Sequence, residues 1–381
     1  MNPVSENSKV YRRPDFKSAY YIGIMSGTSL DGIDAVLADL NSSPPSLLYT
    51  FYLPYDRDLR SRLLDLHHSS HDELHRAAMM GNELAHRYAE TVVGLLNESG
   101  IKRQDVAAIG CHGQTVRHCP QREWSYTIQL CNSALLVELT GITVVSDFRS
   151  RDVAAGGQGA PLVPAFHQVL FGDPLIHRVL ANIGGISNLT SLAPNGEVAG
   201  FDCGPGNIMM DAWCLRHTGK TYDENGAWAA SGKVIPELLE KLLALEFFSL
   251  PPPKSTGREI FNLAWLESCL SGDEKPADVQ ATLLQLTIRG IAESVFTYFP
   301  NAAEIYLCGG GARNGALIAR LRSVLCGKKV ELTDRLGVDA DWLEAFAFAW
   351  LAQRAILGFP GNVPGITGAK GARLLGAIYP A

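Results

Sequence analysis

One local pattern occurs twice in this chain, once in each half, and it restricts the fold more than anything else in the sequence. Residues 20–24 and 33–38 read as strands, and the turn between them carries Gly27, Thr28, Ser29, Leu30, Asp31, Gly32, Ile33 and Asp34. Residues 179–183 and 189–192 read as strands too, joined by Gly184-Gly185-Ile186-Ser187-Asn188. Glycine permits positive φ and lets a ligand approach the backbone closely. Successive N–H groups in such a turn form an anion-binding concavity. Thr28 and Ser29 add hydroxyl donors, while Asp31 and Asp34 can orient a hydrated cation. Taken alone, the first turn fits an ordinary Asp-Gly hairpin as well as a phosphate loop. As a pair, the two turns suit a clamp that grips a polyphosphate from opposite sides.

The pattern extends beyond the turns. In the first half a third extended run (46–53) is followed by a helix over 72–97. Ser70 and Glu73 are placed for a capping box at its start and Gly100 for its end. A strand at 106–111 delivers the loop His112-Gly113-Gln114-Thr115, and strands at 127–130 and 143–145 enclose a helix at 132–139. A polar, glycine-rich passage (147–161) leads to a helix at 162–171. The second half repeats the hairpin, then a strand at 198–201 and helices at 207–217, 236–245 and 278–299. A strand at 305–308 feeds Gly309-Gly310-Gly311-Ala312-Arg313-Asn314, and a strand at 330–333 precedes a helix at 341–357. Two such halves with a cleft between them predict the α/β, two-domain fold of actin, sugar kinases and heat-shock chaperones. In that duplicated ribonuclease H-like fold, ATP lies in the interdomain cleft. The expected division is 18–170 plus 341–381 against 171–340, with residues 1–17 a disordered lead-in.

A doubly wound α/β enzyme is the alternative, but no G-x-G-x-x-G follows a strand. Gly219-Lys220-Thr221 fails as a P-loop because position 214 is Cys. The balance of 46% apolar and 19% charged residues is that of a folded globular chain. A net charge of −6 argues against nucleic-acid binding, and no apolar run is long enough to span a membrane. The N-terminus has no apolar signal region. Eight scattered cysteines without metal spacing suit a reducing cytoplasm.

Asp202 ends a strand, and Gly204-Pro205-Gly206 fixes its loop before a helix begins. A carboxylate there faces the cleft of this architecture as a general base; capping the helix at 207 is the competing role. His112, Gln114 and Thr115 offer groups that hydrogen bond a sugar, and Arg149 can pair a substrate carboxylate. Gly309, Gly310, Gly311 and Asn314 suit the floor of a purine and ribose pocket, although a strand-to-helix turn also favours glycine. The segment Lys254-Ser255-Thr256-Gly257-Arg258-Glu259 breaks helical periodicity and reads as a functional loop. Glu344 is an acid among apolar helix neighbours, either a site residue or part of a wet stripe.

In order along the chain stand Met-Ser-Gly-Thr-Ser-Leu-Asp-Gly-Ile-Asp (25–34), Gly-Cys-His-Gly-Gln-Thr-Val (110–116) and Gly-Gly-Gln-Gly-Ala-Pro-Leu-Val-Pro-Ala-Phe-His (156–167). Asn-Ile-Gly-Gly-Ile-Ser-Asn-Leu (182–189), Phe-Asp-Cys-Gly-Pro-Gly-Asn (201–207), Pro-Lys-Ser-Thr-Gly-Arg-Glu (253–259) and Cys-Gly-Gly-Gly-Ala-Arg-Asn (308–314) follow. With these strings the chain resembles the anhydro-N-acetylmuramic acid kinase family of peptidoglycan recycling, from residue 23 almost to the C-terminus. The resemblance implies an enzyme that adds water at C1 of 1,6-anhydro-N-acetylmuramic acid and transfers the ATP γ-phosphoryl group to O6. Products are N-acetylmuramic acid 6-phosphate and ADP. It maps the ATP loop onto 27–34, with Gly184, Gly185 and Asn188 as the opposing turn, and the catalytic aspartate onto Asp202. Glu344, His112, Gln114, Thr115 and Arg149 fall near the sugar. Mg²⁺ is implied with ATP, its ligands unassigned, and a cytoplasmic homodimer is implied as the assembly. Cys203 and Cys131 depart from the family pattern, standing where threonine and a small residue are expected. A plain amino-sugar or acetate-type kinase and a non-enzymatic nucleotide switch are the rival readings.

Overall fold

The computed structural model describes residues 19–381 apart from 28, 121, 122, 259 and the side chain of Ala340. Thr28 and the lead-in at 1–17 therefore lie outside the described residues. The strands are β1 (Tyr20–Ser26), β2 (Gly32–Asp39), β3 (Ser46–Pro54), β4 (Val106–Cys119), β5 (Tyr126–Leu130) and β6 (Val144–Ser146). They continue with β7 (Arg178–Ile183), β8 (Ile186–Leu192), β9 (Val198–Pro205), β10 (Glu304–Cys308), β11 (Lys329–Leu332) and β12 (Ala377–Tyr379).

β1, β2 and β3 form an antiparallel meander; β4 then pairs with β1, and β6 with β4, in parallel. β7, β8 and β9 repeat the meander, and β10 and β11 add two parallel strands. The orders are β12-β6-β4-β1-β2-β3, with β5 on β4, and β11-β10-β7-β8-β9. Setting aside β5 and β12, one five-strand order with one set of strand senses occurs twice. This is the duplicated ribonuclease H-like fold of actin-like ATPases, and the repeated strand-turn-strand pattern is its signature in the sequence.

Alternate residues of a strand face opposite sides of a sheet, and here they feed different cores. Ile22 and Ile24 pack with Leu84 and Tyr88 of the helix Glu73–Ser99. Val179, Ala181 and Ile183 pack with Leu283 and Ile291 of the helix Pro276–Tyr298. Tyr21 and Met25 of the first sheet share a third core with Leu180, Tyr306 and Cys308 of the second. Because both faces are covered, β1 reads as a continuous apolar run rather than an alternating one.

The helix Leu343–Leu357 fills that shared core and packs on β1, β2 and β4. Its approach needs two glycines. A Cβ at Gly23 would lie 1.8 Å from Ala345 O, and one at Gly110 would lie 2.0 Å from Phe348 O. Phe346 and Phe348 are fully covered, each worth about 2–3 kcal/mol of burial.

Several expected details differ. Residues 112–115 lie inside β4, which bends at Gly113 (φ 77°) instead of ending before it. No capping box forms at 70–73: Arg117 takes Glu73 (2.5 Å) and Arg76 donates to Ser70 (2.8 Å). The charge-assisted pair outcompetes a neutral cap. The helix starts instead at Asp72 in a left-handed conformation with no side-chain cap. A short helix, Arg57–Asp65, capped by Asp56, was not anticipated. No described helix is long and apolar enough to cross a membrane.

Candidate active site

The first turn is held by bonds from three directions. Gln114 Nε2 donates to Gly27 O (3.0 Å) from β4, and Tyr52 Oη donates to Asp31 O (2.9 Å) from β3. Tyr55 N–H also donates to Asp31 O (2.9 Å), and Ser29 Oγ to Asp31 Oδ1 (2.7 Å). Leu30, at φ 56°, is buried in the left-handed region, a cost of about 1–2 kcal/mol for a non-glycine residue. Strain of this kind persists where surrounding structure over-determines the backbone.

The second turn is fixed by the start of the helix Ile208–Thr218. Gly206 N–H and Ile208 N–H donate to Gly185 O (2.8 and 3.1 Å), and Asn207 N–H donates to Gly184 O (2.8 Å). Asn207 Nδ2 donates to Ile183 O (3.1 Å), so its side chain is spent on the turn and caps no helix.

The glycines of the two turns and of the segment 309–311 after β10 sort by cause. Gly32, Gly309 and Gly311 are required by the protein, since a Cβ would lie 2.3–2.5 Å from Tyr52, Asn182 and Ile183 respectively. Gly27, Gly184, Gly185 and Gly310 have no such neighbour, with nothing closer than 3.4 Å, and none has positive φ. Nothing in the fold calls for glycine there. The open space beside these four leaves room for a ligand to approach the backbone.

Asp202, on β9, stands across from Asn188 of the second turn. Its carboxylate Oδ2 accepts Thr256 N–H (2.9 Å) and its own N–H donates to Lys254 O (3.1 Å). The helix-capping role weighed for Asp202 is thus not realised. After β10, Gly310–Arg313 form a single 3₁₀ turn, and Asn314 caps the helix Gly315–Val324 through Leu317 N–H (3.1 Å).

The two halves meet at Glu344, in the first turn of the helix Leu343–Leu357. Glu344 keeps solvent-accessible surface although protein surrounds it, the position of a group on the floor of an open cleft. It interacts electrostatically with Arg149, Asp34 and, from β10, Cys308. Arg313 of the second half pairs with Asp341 beside it. Burial raises the Asp34 carboxyl to about 7, and the charges of Asp31, Asp341 and Glu344 add to the effect. Burial also raises Glu344, with Arg149 opposing. Four carboxylates against two guanidinium groups leave this region short of positive charge.

His112, Gln114 and Thr115 were expected to face a sugar; the structure buries the first two and leaves Thr115 half-buried. His112 is 3% exposed and Gln114 0%, so neither offers surface to a ligand. Gln114 instead buttresses Gly27. His112 Nε2 accepts Arg149 Nε–H (2.9 Å), which leaves the proton on Nδ1. Burial, then the Arg149 charge, push its pKa well below the ordinary histidine value, so the ring is neutral. Thr115 Oγ1 accepts from Gln129 (3.2 Å). Arg149 is half-buried beside Glu344, pinned by His112 and by Gly159 O (2.7 Å). Asp152, unremarked in the sequence, is fully buried and accepts Gly159 N–H, Asn362 Nδ2 and Thr367 Oγ1 at 2.7–2.8 Å. Its place in the glycine-rich passage was the available signal.

The family description "Anhydro-N-acetylmuramic acid kinase" matches residues 19–381. The chain belongs to the anhydro-N-acetylmuramic acid kinase family. A relative of that name from Nitrosospira multiformis is 71% identical over 365 residues, covering 96% of this chain and 100% of the relative. One from Nitrosomonas europaea is 63% identical over 362 residues, 95% of this chain and 100% of its own. Among solved structures, component A of (R)-2-hydroxyglutaryl-CoA dehydratase from Acidaminococcus fermentans is similar with a TM-score of 0.48 and 13% identity. It covers 89% of this chain and 100% of its own, a likeness too slight to bear on function. The Asp34 carboxylate lies beside the first turn, with the charges of Asp31, Asp341 and Glu344 around it. Among the described residues no group of three or more His, Cys, Asp and Glu could hold a metal.

Proposed function

We propose that this chain catalyses the reaction of its family, the ATP-dependent, hydrolytic conversion of 1,6-anhydro-N-acetylmuramic acid to N-acetylmuramic acid 6-phosphate and ADP. The observation that carries the reading is the placement of Asp202. A carboxylate on the edge strand, held by a backbone N–H and set beside a turn whose glycines have open space where a Cβ would stand, suits a general base at a phosphate site.

Asp202 takes a proton from the water that attacks C1. The C1–O6 bond breaks with its electron pair on O6, O6 attacks the γ-phosphoryl group, and the bond to the ADP oxygen breaks. The residues' part is positioning and charge stabilisation. Residues 27–34, including Thr28, and Gly184, Gly185 and Asn188 hold the phosphates. Gly309, Gly310 and Gly311 form the adenosine floor, with Asn314 ordering its edge. Arg149 holds the sugar's carboxylate bidentately, with His112 and Gln114 behind as supports, Thr115 at the rim and Glu344 beside the ring. Asp34, beside the first turn, would be placed to hold Mg²⁺ bound with ATP, and the ion would supply positive charge to the phosphates. The domains are 18–170 plus 341–381 and 171–340. The enzyme works as a homodimer in the cytoplasm, for which its eight free cysteines are suited.

Turnover in ¹⁸O-labelled water tests the reading: label is expected at C1 of a 6-phosphorylated product. A phosphorylated product with the bridge intact, or no product, would overturn it.

A further inference from the structure

β9 is the edge of the second sheet, and an edge strand leaves a row of N–H and C=O groups unpaired. At Asp202 that row is met by the segment Lys254-Ser255-Thr256, which belongs to no helix or strand. Lys254 O accepts the N–H of Asp202 (3.1 Å), and Thr256 N–H binds its Oδ2 (2.9 Å). One side of the carboxylate's setting is therefore made by a loop with no ladder of its own.

The loop is anchored by Lys254. Its Nζ donates to Phe247 O (3.0 Å) and Phe248 O (3.4 Å), carbonyls of the short helix Glu246–Ser249. The ammonium also lies 4.7 Å from the centroid of the Phe247 ring. Phe247 in turn is buried against Phe248 and Phe261. An ammonium has three donors, and two are committed to these carbonyls. A lysine beside a phosphate site is ordinarily read as a phosphate ligand; this one faces the other way.

We propose that Lys254 is a positioning residue for the reaction: by tying the 254–256 loop to the Phe247–Phe248 carbonyls, it holds Thr256 N–H where it aims the Asp202 carboxylate at the attacking water. The inference rests on Asp202 as the base. Small misplacements of a catalytic group cost large factors in rate. Without the anchor the loop drifts, and proton abstraction from water slows while substrate binding does not.

The test compares Lys254→Met, which keeps the apolar stem, with Lys254→Arg, which restores a cationic donor. For Lys254→Met, kcat is expected to fall about tenfold, with KM for ATP and for the anhydro-sugar within about twofold. The solvent deuterium isotope effect on kcat is expected to rise, because water deprotonation becomes more fully rate-limiting. Lys254→Arg is expected to recover most of kcat and the original isotope effect. Loss of folded protein lowers the active fraction but does not change an isotope effect. Should the Met variant not fold, Lys254→Gln, which keeps an amide N–H donor for the Phe247 and Phe248 carbonyls, is expected to show the same pattern at smaller amplitude. Unchanged kcat and isotope effect in a folded variant overturn the proposal. So does a selective rise in KM for ATP, which would make Lys254 a phosphate ligand. The underlying reading fails separately: an Asp202→Asn enzyme with full activity removes the base itself, whatever position 254 does.

Discussion

Replacing Gly185 by alanine separates a glycine kept for a ligand from one kept for the fold, with Gly23→Ala as the matched contrast. At Gly185 the nearest atom to an added Cβ is Ile208 Cβ at 3.8 Å, ordinary van der Waals contact, and φ is not positive. The methyl group strains nothing in the protein and restricts the unfolded chain. Stability should hold or rise by about 0.4–1 kcal/mol. At Gly23 the same methyl would stand 1.8 Å from Ala345 O. The helix Leu343–Leu357 must then move off the sheet, at about 1–3 kcal/mol for overpacking and more if the backbone cannot follow. Function is expected to invert this order. If the second turn cradles phosphate, the Gly185 methyl displaces at least one N–H bond to an anion. Such a bond is worth about 1.5–3 kcal/mol, which is a ten- to hundredfold weaker Kd for ATP. Urea denaturation measures the first quantity and nucleotide titration by calorimetry the second. Wild-type ATP affinity in Gly185→Ala would refute the assignment of this turn to phosphate. A loss of several kcal/mol of stability would refute the claim that the space beside it is open.

Asp202→Asn should lose about a hundred- to ten-thousandfold in kcat with ATP affinity within about twofold, read by steady-state assay and calorimetry; retained turnover removes it as the base. Gln114→Leu should raise KM for ATP and leave KM for the sugar unchanged, since its amide holds Gly27 and touches no solvent; the opposite split would return Gln114 to the sugar pocket. Burial raises the Asp34 carboxyl to about 7 in the folded protein, against 3.8 for an ordinary aspartate. The folded state therefore holds this proton more tightly, and its contribution to stability falls as pH rises from about 4 towards 7. Asp34→Asn should flatten that decline and stabilise the protein above pH 7 by on the order of 2 kcal/mol, as followed by denaturation at several pH values.

The repeated topology was legible because its signals are local. Continuous apolar strands, glycine turns and helix ends such as Gly100 and Asn132 depend on neighbours a few residues away. The short helix Arg57–Asp65 was not, because it buries only Leu59 and Leu63 and leaves little periodic trace. The site was legible in its residue types and less so in their roles, since roles are set across the chain. Gln114 meets Gly27 across 87 positions, His112 meets Arg149 across 37, and Arg117 takes Glu73 from its cap across 44. Nor can spacing say that Gly32 is demanded by Tyr52 while Gly27 is not.

Glu344 shows how the fold delivers an acid to this cleft. Its helix is otherwise almost wholly buried, with Ala345, Phe346, Ala347 and Phe348 sealed in the core that both sheets share. Such a helix can be placed only where the strands beneath it lack side chains, and Gly23 and Gly110 provide that bed. Once seated there, the helix carries Glu344 in its first turn, where the N-terminal end of the dipole favours a carboxylate. That end lies near Cys308 and Arg149, so one element presents the same charge to both halves. Two glycines packed beneath this helix thus fix the position of an acid at its exposed first turn.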